Sequence, residues 1–441
     1  MSSDGMSTPG WDPGGSVGRT PEPPPSSGHR PRVGMALYGD LTYDSRVRKE
    51  ARTLTEAGYE VVITCLASQA ASPDLPASVM VLIVRPFGPS IIPGSPNPFA
   101  TAHAGHVAGF RRRVAWLVAY VRGLREWGRL VVEAAGPVDV WHAHDLTGLA
   151  AIIPNLPSRF PIVYDSHELF LETGTALRLP GLARSLLRAY ERRAVSRTSA
   201  VITVNDEIAS VLRRRYRPTR IEVVHNCPYR WSPPPIGVPL LREAADIPVG
   251  EPIVLYHGGL TAGRGVELLM QAMDVEGLED VHLILMGYGE RSDEFRRLAR
   301  SDRGSQRIHV LDPVPPSDLL PWVASADVGA MPNPGMTRND YFSSPNKLFE
   351  CLAAGIPVIA SDVPTMRRII IDDPDGPLGA LCDPTSTASI AAAMWSIVRL
   401  NPSDKGALRA RCLRAADERW NWEREGETLL SVYSEVIPRR R

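Results

Sequence analysis

Aliphatic and β-branched runs alternate with amphipathic stretches along the chain after residue 32. Helical spacing of apolar positions covers 45–58, 107–134 and 179–197. The runs between these stretches read as strands: VGMALYG (33–39), EVVITCL, VMVLIVR, VDVWHAH, PIVYDSH, AVITVN and RIEVVHN. Because parallel strands need crossover helices and are covered on both faces, this alternation predicts a parallel α/β sheet.

A proline-rich stretch, CPYRWSPPPIGVP (227–239), interrupts the pattern, which then begins again. The later strands are PIVLYHGGL, VHLILMGYG, RIHVLD, DVGAMPN and PVIAS, with helical segments between them. We therefore predict two Rossmann-like, doubly wound domains, at 31–230 and 241–415, joined by a linker at 231–240. Their carboxyl strand edges should face each other across a cleft. A last helix, predicted over 417–437 within a segment at 416–441, is expected to pack back towards the N-terminal domain.

Composition indicates the cellular compartment in which this fold is expected. Residues 1–30 are rich in Gly, Pro and Ser and predict a disordered tail without the apolar core of a secretory signal. No apolar run is long enough for a membrane span. The cysteines follow no metal or disulfide spacing, which favours a reducing cytoplasm; they are Cys65, Cys227, Cys351, Cys382 and Cys412.

The charge is zero overall but unevenly spread. Residues 30–232 hold 26 Lys and Arg against 17 Asp and Glu, whereas residues 233–441 hold 22 against 29. Within 107–130, arginines (among them Arg111, Arg112 and Arg113) accompany a stripe of Trp116, Tyr120, Leu124 and Trp127. Two interpretations follow: a helix docked on the inner face of an anionic membrane, or a helix whose stripe packs on the sheet. We expect no nucleic-acid partner.

An unusual lysine stands in SSPNKLFECLAAGIPVIASD (343–362). Ser344 suits an N-cap and Pro345 the first helical position, so Lys347 falls in the first turn, where the helix dipole is positive. Lys347 can pair with Glu350 one turn later, or it can join the free backbone N–H groups in binding a phosphate.

A second cation begins a helix in IVLYHGGLTAGRGVELLMQAM (253–273). Glycines there allow close backbone approach, and Arg264 stands at the helix entrance. The loop lacks the GK[ST] of a Walker motif and the glycine spacing of a dinucleotide fingerprint. Two such helix starts in one domain predict a diphosphate clamp that needs no metal.

Histidines and carboxylates end two strands of the first half. VDVWHAHD ends in His142, His144 and Asp145, and VYDSHE carries Asp165 and His167. Such groups can bind zinc, but neither set has the helical spacing of HExxH. The Asp373–Asp375 pair lies in DDPDGP, which is ordinary turn chemistry. We therefore expect neither a metal nor a cofactor.

From about residue 33 to 437 the chain resembles retaining glycosyltransferases of family 4, which have the GT-B architecture. The resemblance is carried by SPNKLFECLAAGIPVIASD, YHGGLTAGRGVELLMQAM, LILMGYGE, VWHAHDLTGL, IVYDSHELF, DSRVRKEARTLTEAGYEVVI and WNWEREGETLLSVY. It implies a nucleotide-diphosphate-sugar donor and an acceptor that the sequence does not identify, with a lipid-linked molecule and a small aglycone as the candidates.

The resemblance also implies roles for individual residues. Glu350 would hold the donor ribose, Arg264 the diphosphate, and the segment 308–314, ending at Val314, the base. Other expected donor contacts are Gly258, Gly259, Ser344, Asn346 and Lys347. The acceptor side would hold Asp44, Arg46, His144 and His167, and the catalytic set would be His144, Arg264 and Lys347.

Two positions depart from the family pattern. Phe342 stands where the first glutamate of the paired-glutamate motif normally touches the donor sugar, and Gly259 stands where a second basic residue is usual. We expect Lys347 to supply that cation. The expected activity is a cytoplasmic, metal-independent, retaining glycosyl transfer. A sugar-nucleotide 2-epimerase and a nucleotide-binding but inactive homologue are the alternatives.

Overall fold

The computed structural model describes residues 30–68, 75–86, 106–233, 239–300 and 307–437, and leaves aside the side chains of 106–114, 174 and 175. Residues 1–29 of the predicted tail, residues 234–238 of the predicted linker, and the side chains of Arg111, Arg112 and Arg113 lie outside the described residues. A seven-stranded sheet, in the order β3-β2-β1-β4-β5-β6-β7, forms the first half. Its strands are β1 (Arg32–Asp40), β2 (Glu60–Ala67), β3 (Met80–Ile83), β4 (Val140–His144), β5 (Ile162–Ser166), β6 (Ala200–Thr203) and β7 (Ile221–Val223).

A six-stranded sheet, in the order β10-β9-β8-β11-β12-β13, forms the second half. Its strands are β8 (Ile253–Gly259), β9 (His282–Tyr288), β10 (Ile308–Leu311), β11 (Val328–Met331), β12 (Val358–Ser361) and β13 (Gly379–Cys382). The pairings within both sheets are parallel. The two parallel α/β sheets predicted from the sequence are confirmed.

Helices connect the strands. Those before β8 are α1 (Ser45–Glu56), α2 (His106–Ala135), α3 (Asp145–Ile152), α4 (Gly174–Leu177), α5 (Gly181–Val195), α6 (Asp206–Tyr216) and α7 (Leu240–Ala244). Those after it are α8 (Val266–Ala272), α9 (Ser292–Ala299), α10 (Leu319–Val323), α11 (Arg338–Tyr341), α12 (Asn346–Ala353), α13 (Pro364–Ile370), α14 (Thr387–Val398), α15 (Pro402–Glu418) and α16 (Trp422–Val436). No described helix is both long and apolar enough to cross a bilayer.

The first sheet is covered on both faces. Helices α2, α3, α5 and α6 contribute buried side chains to the core on one face, including Leu124 and Trp127. Helices α1 and α16 cover the other face, where Trp422 and Tyr433 are buried. The indole N–H of Trp127 donates to the Val84 carbonyl at 2.9 Å. The interpretation of this stripe as core packing is therefore confirmed for its buried members.

Two local predictions were wrong. The helix expected over 417–437 is interrupted: α15 ends at Glu418, and Asn421 caps α16 by accepting from the Arg424 N–H at 3.1 Å. Asn is a strong N-cap, which explains the break. The N-cap of α12 is Pro345, which has no capping side chain. Ser344 instead accepts a hydrogen bond from the Asn205 amide across the cleft at 3.2 Å.

Candidate functional site

A cleft lies between the carboxyl edges of the two sheets and holds a cavity of about 300 Å³. Loops after β1, β5, β6 and β7 supply one wall, and the segment around α11 and the start of α12 supplies the other. This is where ligands bind in doubly wound folds. The lining residues are Tyr43, Asp44, Ser45, Arg46, His167, Val204, Ile208, Asn226, Asn339, Ser343, Ser344 and Asn346.

Lys347 points from the first turn of α12 towards the glycine turn that ends β8. Its ammonium lies 3.6 Å from the centre of the Tyr256 ring and 3.7 Å from where a Cβ on Gly258 would stand. Burial and the nearby Arg264 guanidinium lower the pKa of Lys347 to about 7. Glu350 acts on this ammonium electrostatically and raises its pKa, but less than burial and Arg264 lower it. An anion bound beside the ammonium would restore its ordinary basicity.

Glu350 has another partner than Lys347. Its Oε2 lies 2.8 Å from Nε2 of His257 on β8. The pair of Glu350 with Lys347 is not among the ion pairs of the described residues. The structure therefore does not support the surface-pair interpretation of Lys347, while it leaves the second Glu350 oxygen available to a ligand hydroxyl.

Arg264 lies on the exposed part of the loop before α8 and is near enough to Lys347 to act on it electrostatically. The loop shape depends on glycine. Gly265 has φ +76°, and a Cβ there would lie 1.9 Å from the Pro332 carbonyl oxygen. Gly258 also has a left-handed backbone, at φ +108°. Only glycine takes both positions without strain, so the two cations are brought to one side of the cleft.

The remaining predicted donor residues lie at the same edge of the second sheet. Ser344 and Asn346 line the cavity. Gly259 ends β8 and is exposed, and a Cβ there would meet no atom within 4 Å. Val314 is half-buried in the segment that follows β10. The structure thus gathers the predicted donor residues at one edge of the second sheet.

On the acceptor side, His167 rather than His144 faces the cavity. His144 ends β4 and is fully buried, with Nδ1 3.3 Å from Nε2 of His167. Burial lowers the pKa of His144. Burial alone would lower the pKa of His167 as well, but Asp145 and Asp165 outweigh it and raise it to about 10. The imidazole at the cavity wall is therefore a cation at neutral pH.

Behind His167, Arg46 anchors a buried ionic network. Its guanidinium donates to both oxygens of Asp165, at 2.7 and 2.9 Å, and to the Val224 carbonyl at 2.6 Å. Arg46 and His167 hold the pKa of Asp165 well below its usual range, although burial alone would raise it. Asp44 caps α1 by accepting from the Val47 N–H at 3.1 Å. These predicted acceptor residues also fix the cavity wall.

Four side chains of this network could hold a metal by distance alone. Ligand atoms of Glu50, His142, His144 and Asp165 lie within 4.8 Å of one another, and all four side chains are buried. However, the Arg46 guanidinium already binds Asp165 and lies 3.2 Å from Glu50. Burial and Asp165 raise the pKa of Glu50 well above its usual range, which favours its neutral form. A divalent cation would compete with Arg46 for these carboxylates.

Sequence reasoning missed several residues that shape the cleft. The amide of Asn205 donates to the Phe342 carbonyl at 2.8 Å, and Asn339 Oδ1 accepts from the Leu169 N–H at 2.9 Å. The Tyr433 hydroxyl lies 2.8 Å from Nδ1 of His142, so α16 reaches the buried network. Only the position of Asn205 at a strand end signals such a role, since the other contacts join distant parts of the chain.

The two halves of the chain that form this cleft both match models of known protein families. Residues 45–227 match the family described as Glycosyltransferase Family 4, and residues 251–399 match Glycosyl transferases group 1. The chain belongs to glycosyltransferase family 4. It is therefore a glycosyltransferase, and the resemblance read from the sequence motifs is confirmed.

Relatives of this glycosyltransferase include two that align over most of their length. It is 27% identical to a D-inositol 3-phosphate glycosyltransferase of Xylanimonas cellulosilytica, over 88% of this chain and 90% of the relative. It is also 27% identical to a phosphatidyl-myo-inositol mannosyltransferase of Mycolicibacterium smegmatis, over 89% of both chains.

Solved structures agree on the GT-B fold of the glycosyltransferase. Sucrose-phosphate synthase from Thermosynechococcus elongatus superposes with a TM-score of 0.66 at 18% identity, covering 92% of this chain and 99% of that one. Anabaena HepE, in complex with UDP and glucose, gives a TM-score of 0.62 at 15% identity, covering 92% and 100%. The predicted GT-B architecture is confirmed.

Proposed function

We propose that this glycosyltransferase moves a sugar from a nucleotide-diphosphate donor to a hydroxyl of an acceptor bound in the cleft, with retention of anomeric configuration. The observation that carries the proposal is the position of Lys347, an ammonium directed at the Gly258 turn and close to Arg264. A diphosphate at this point would meet two cations, the amino end of α12 and a close backbone. These are the elements that phosphate binding requires.

Rate acceleration would come from the leaving group. As the bond between the sugar and the β-phosphate breaks, negative charge grows on the diphosphate, and Lys347 and Arg264 would stabilise it. Glu350, oriented by His257 at 2.8 Å, would accept hydrogen bonds from the ribose hydroxyls. The segment at Val314 would lie against the base. UDP is the first nucleotide to try, since the HepE structure contains it.

For the acceptor we propose an inositol-containing polyol. The two relatives described above have D-inositol 3-phosphate and phosphatidyl-myo-inositol in their names. The cavity wall supports a hydroxyl-rich acceptor, because Asp44, Ser45 and Asn226 line it together with the cationic His167. Such groups can donate and accept hydrogen bonds around a polyol ring.

The proposal is tested by combining donor and acceptor screens. Thermal shift with UDP- and GDP-sugars identifies the donor, and product formation is then followed with D-inositol 3-phosphate and with phosphatidylinositol. We expect one donor to stabilise the protein and to be consumed only when an acceptor is present. Donor conversion without acceptor would instead indicate an epimerase. Absence of any donor binding would refute the proposed activity.

We further propose that the reaction needs no metal. Lys347 and Arg264 would neutralise the diphosphate, and Arg46 already occupies the buried carboxylates that could attract a divalent ion. Transfer should therefore continue at an unchanged rate after dialysis against EDTA. Loss of transfer that Mn²⁺ or Mg²⁺ restores would contradict this mechanism.

Phe342 supports an alternative in which donor binds but is not turned over. Its side chain packs against the core of the first sheet, and its carbonyl accepts hydrogen bonds from Asn205 at 2.8 Å and Thr365 at 3.0 Å. No glutamate is therefore offered to the donor sugar at this position. Phe342→Glu distinguishes the two cases: nucleotide binding by an inactive wild type, with turnover gained in the variant, would favour the silent homologue.

A further inference from the structure

Two helices on one side of the first sheet expose apolar side chains to solvent. On α2 these are Leu117, Val118 and Val121, with relative exposures of 37%, 45% and 41%. On α5 they are Leu182, Leu186 and Tyr190, with exposures of 76%, 64% and 41%. We name this set of six residues the rim patch. Its α5 members are spaced four residues apart and therefore lie along one face of that helix.

The two halves of the rim patch belong to one surface. Helix α3 contacts both α2 and α5. The Tyr190 hydroxyl donates to the Ala150 carbonyl on α3 at 3.5 Å, and Arg125 of α2 is close enough to the Tyr190 phenol to act on it electrostatically. Apolar groups gathered on one exposed surface, rather than scattered singly, mark an interaction site.

The topology places this surface next to the cleft. A helix that connects two parallel strands runs antiparallel to them, so its amino end lies at the carboxyl edge of the sheet. Leu117 and Val118 lie in the amino-terminal half of α2, and Leu182 and Leu186 in that of α5. The farther halves of both helices turn inward, as the buried Trp127 and Val195 show. The rim patch therefore borders the edge at which the acceptor enters.

The charged residues around the rim patch indicate what kind of partner binds it. Arg122, Arg125 and Arg188 are exposed among the apolar residues, and Arg178 is exposed just before α5. The sequence contains no Asp or Glu in 107–125 or in 174–190. Of the acids next to these segments, Glu191 is buried, and Glu126 and Glu172 are half-buried. Apolar side chains among exposed arginines, with no fully exposed acid inside either segment, complement the headgroups and acyl boundary of an anionic bilayer. A protein partner would require no such exclusion of acids.

We propose that the rim patch docks this glycosyltransferase onto an anionic membrane, with the cleft opening beside the lipid surface. The leucines and Val118 would enter the acyl boundary, while Tyr190 and the arginines would lie at the headgroups. The stripe proposed from the sequence, Trp116 to Trp127, is largely directed into the protein, so the membrane face is a different one. This arrangement would suit a lipid acceptor without requiring a membrane span.

Vesicle co-sedimentation tests the proposal with the full chain and without donor or acceptor. We expect binding to vesicles of phosphatidylcholine mixed with phosphatidylglycerol, little binding to phosphatidylcholine alone, and release by salt. Leu182→Gln/Leu186→Gln should weaken partitioning by about tenfold or more. Arg122→Gln/Arg125→Gln/Arg188→Gln should remove the preference for anionic vesicles. Val249→Gln/Trp395→Gln changes two exposed apolar residues of the other domain and should bind like wild type.

Several outcomes would overturn the docking proposal. They are absence of binding at low salt, equal binding by the leucine variant, or loss of binding in the Val249/Trp395 control. Size-exclusion chromatography with light scattering tests whether a second copy of the chain binds the rim patch instead. A wild-type dimer that the leucine variant converts to a monomer would also refute the docking proposal. Vesicle binding by a protein that transfers no sugar would leave the docking intact while rejecting the proposed activity, so the two failures are distinguishable.

Discussion

Lys347 is a basic residue in a place where its surroundings disfavour its charged form. Burial and Arg264 both lower its pKa, and its ammonium lies beside a glycine turn and the face of Tyr256. The charged form of such a buried lysine destabilises the folded protein unless a bound anion offsets the cost. The tyrosine ring offers part of that compensation through a cation–π contact, and a diphosphate would offer far more.

Removing this ammonium should weaken donor use. A hydrogen bond to a charged group contributes about 1.5–3 kcal/mol, so Lys347→Ala should lower kcat/KM for the donor about 10- to 100-fold. Lys405→Ala is the control, since Lys405 lies on α15 and does not line the cavity. Wild-type kinetics in a folded Lys347→Ala protein would return Lys347 to a structural role.

The lowered pKa of Lys347 also predicts a pH dependence of nucleotide binding. Because the pKa of Lys347 is about 7, this residue is already protonated in the free protein at lower pH, and binding there takes up no proton. Above it, binding must protonate Lys347, and the Kd for the diphosphate should rise about tenfold per pH unit between about pH 7.5 and about pH 9. Calorimetry would measure this together with the proton uptake.

Lys347→Arg provides the matching control for this pH profile. Arginine stays charged throughout that range, so the variant should bind with a nearly constant Kd. A wild-type Kd that does not change with pH, or an arginine variant that keeps the slope, would show that another group controls binding.

At the residue scale, the sequence predicted which functional side chains lie at the cleft, but not how deeply each of them is buried. Lys347, Arg264 and Glu350 follow predicted strands, and parallel strands bring their carboxyl ends to one edge, so their neighbourhood could be predicted. The burial of His144 behind His167 could not, because strand alternation gives the face of a side chain and not what covers it. The partners of Asn205 and Asn339 depend on how the two halves meet.

At the element scale, the loop between β8 and α8 is shaped by one glycine more than by its cation. Gly265→Ala would set a Cβ 1.9 Å from the Pro332 carbonyl oxygen at φ +76°. We expect this to cost about 1–3 kcal/mol of stability and to weaken nucleotide binding, because the loop must move. Thermal unfolding with and without UDP measures both effects.

Gly406→Ala is the control for the glycine prediction. Gly406 lies inside α15, and a Cβ there would meet no atom within 4 Å. Alanine should stabilise that helix by up to about 1 kcal/mol and leave nucleotide binding unchanged. A Gly265→Ala protein as stable as this control would show that the loop tolerates the displacement.

Element type was predictable because the buried parallel strands are short apolar runs with clear ends. Element boundaries were less so. The spacing of Trp420, Trp422 and Leu429 fits one continuous helix, yet Asn421 accepts from a backbone N–H and starts a new one. The break lets α15 stay with the second sheet, while Trp422 packs on the first.

At the scale of the whole molecule, polar contacts between described residues join the two halves across the cleft. Arg368 of α13 donates to both carboxylate oxygens of Glu207 on α6, at 3.0 and 3.2 Å, and lies 3.0 Å from Asp206. Asn205 and Asn339 make the neighbouring backbone contacts. Asn339 lines the cavity, and Asn205 and Glu207 adjoin its lining residues Val204 and Ile208 in the chain, so we expect these contacts to affect how far the cleft opens.

Breaking the Arg368 contact should therefore open the cleft. The side chain is about one third exposed, so we discount the ion pair to about 1 kcal/mol, or about fivefold in the ratio of closed to open forms. Arg368→Ala should increase the radius of gyration measured by small-angle scattering without donor, and raise the donor KM several-fold at similar kcat. Arg367→Ala removes the adjacent arginine, which pairs with Asp362 at 2.6 Å within the same half, and should change neither quantity. Equal scattering from both variants and wild type would mean that the remaining contacts alone keep the cleft closed.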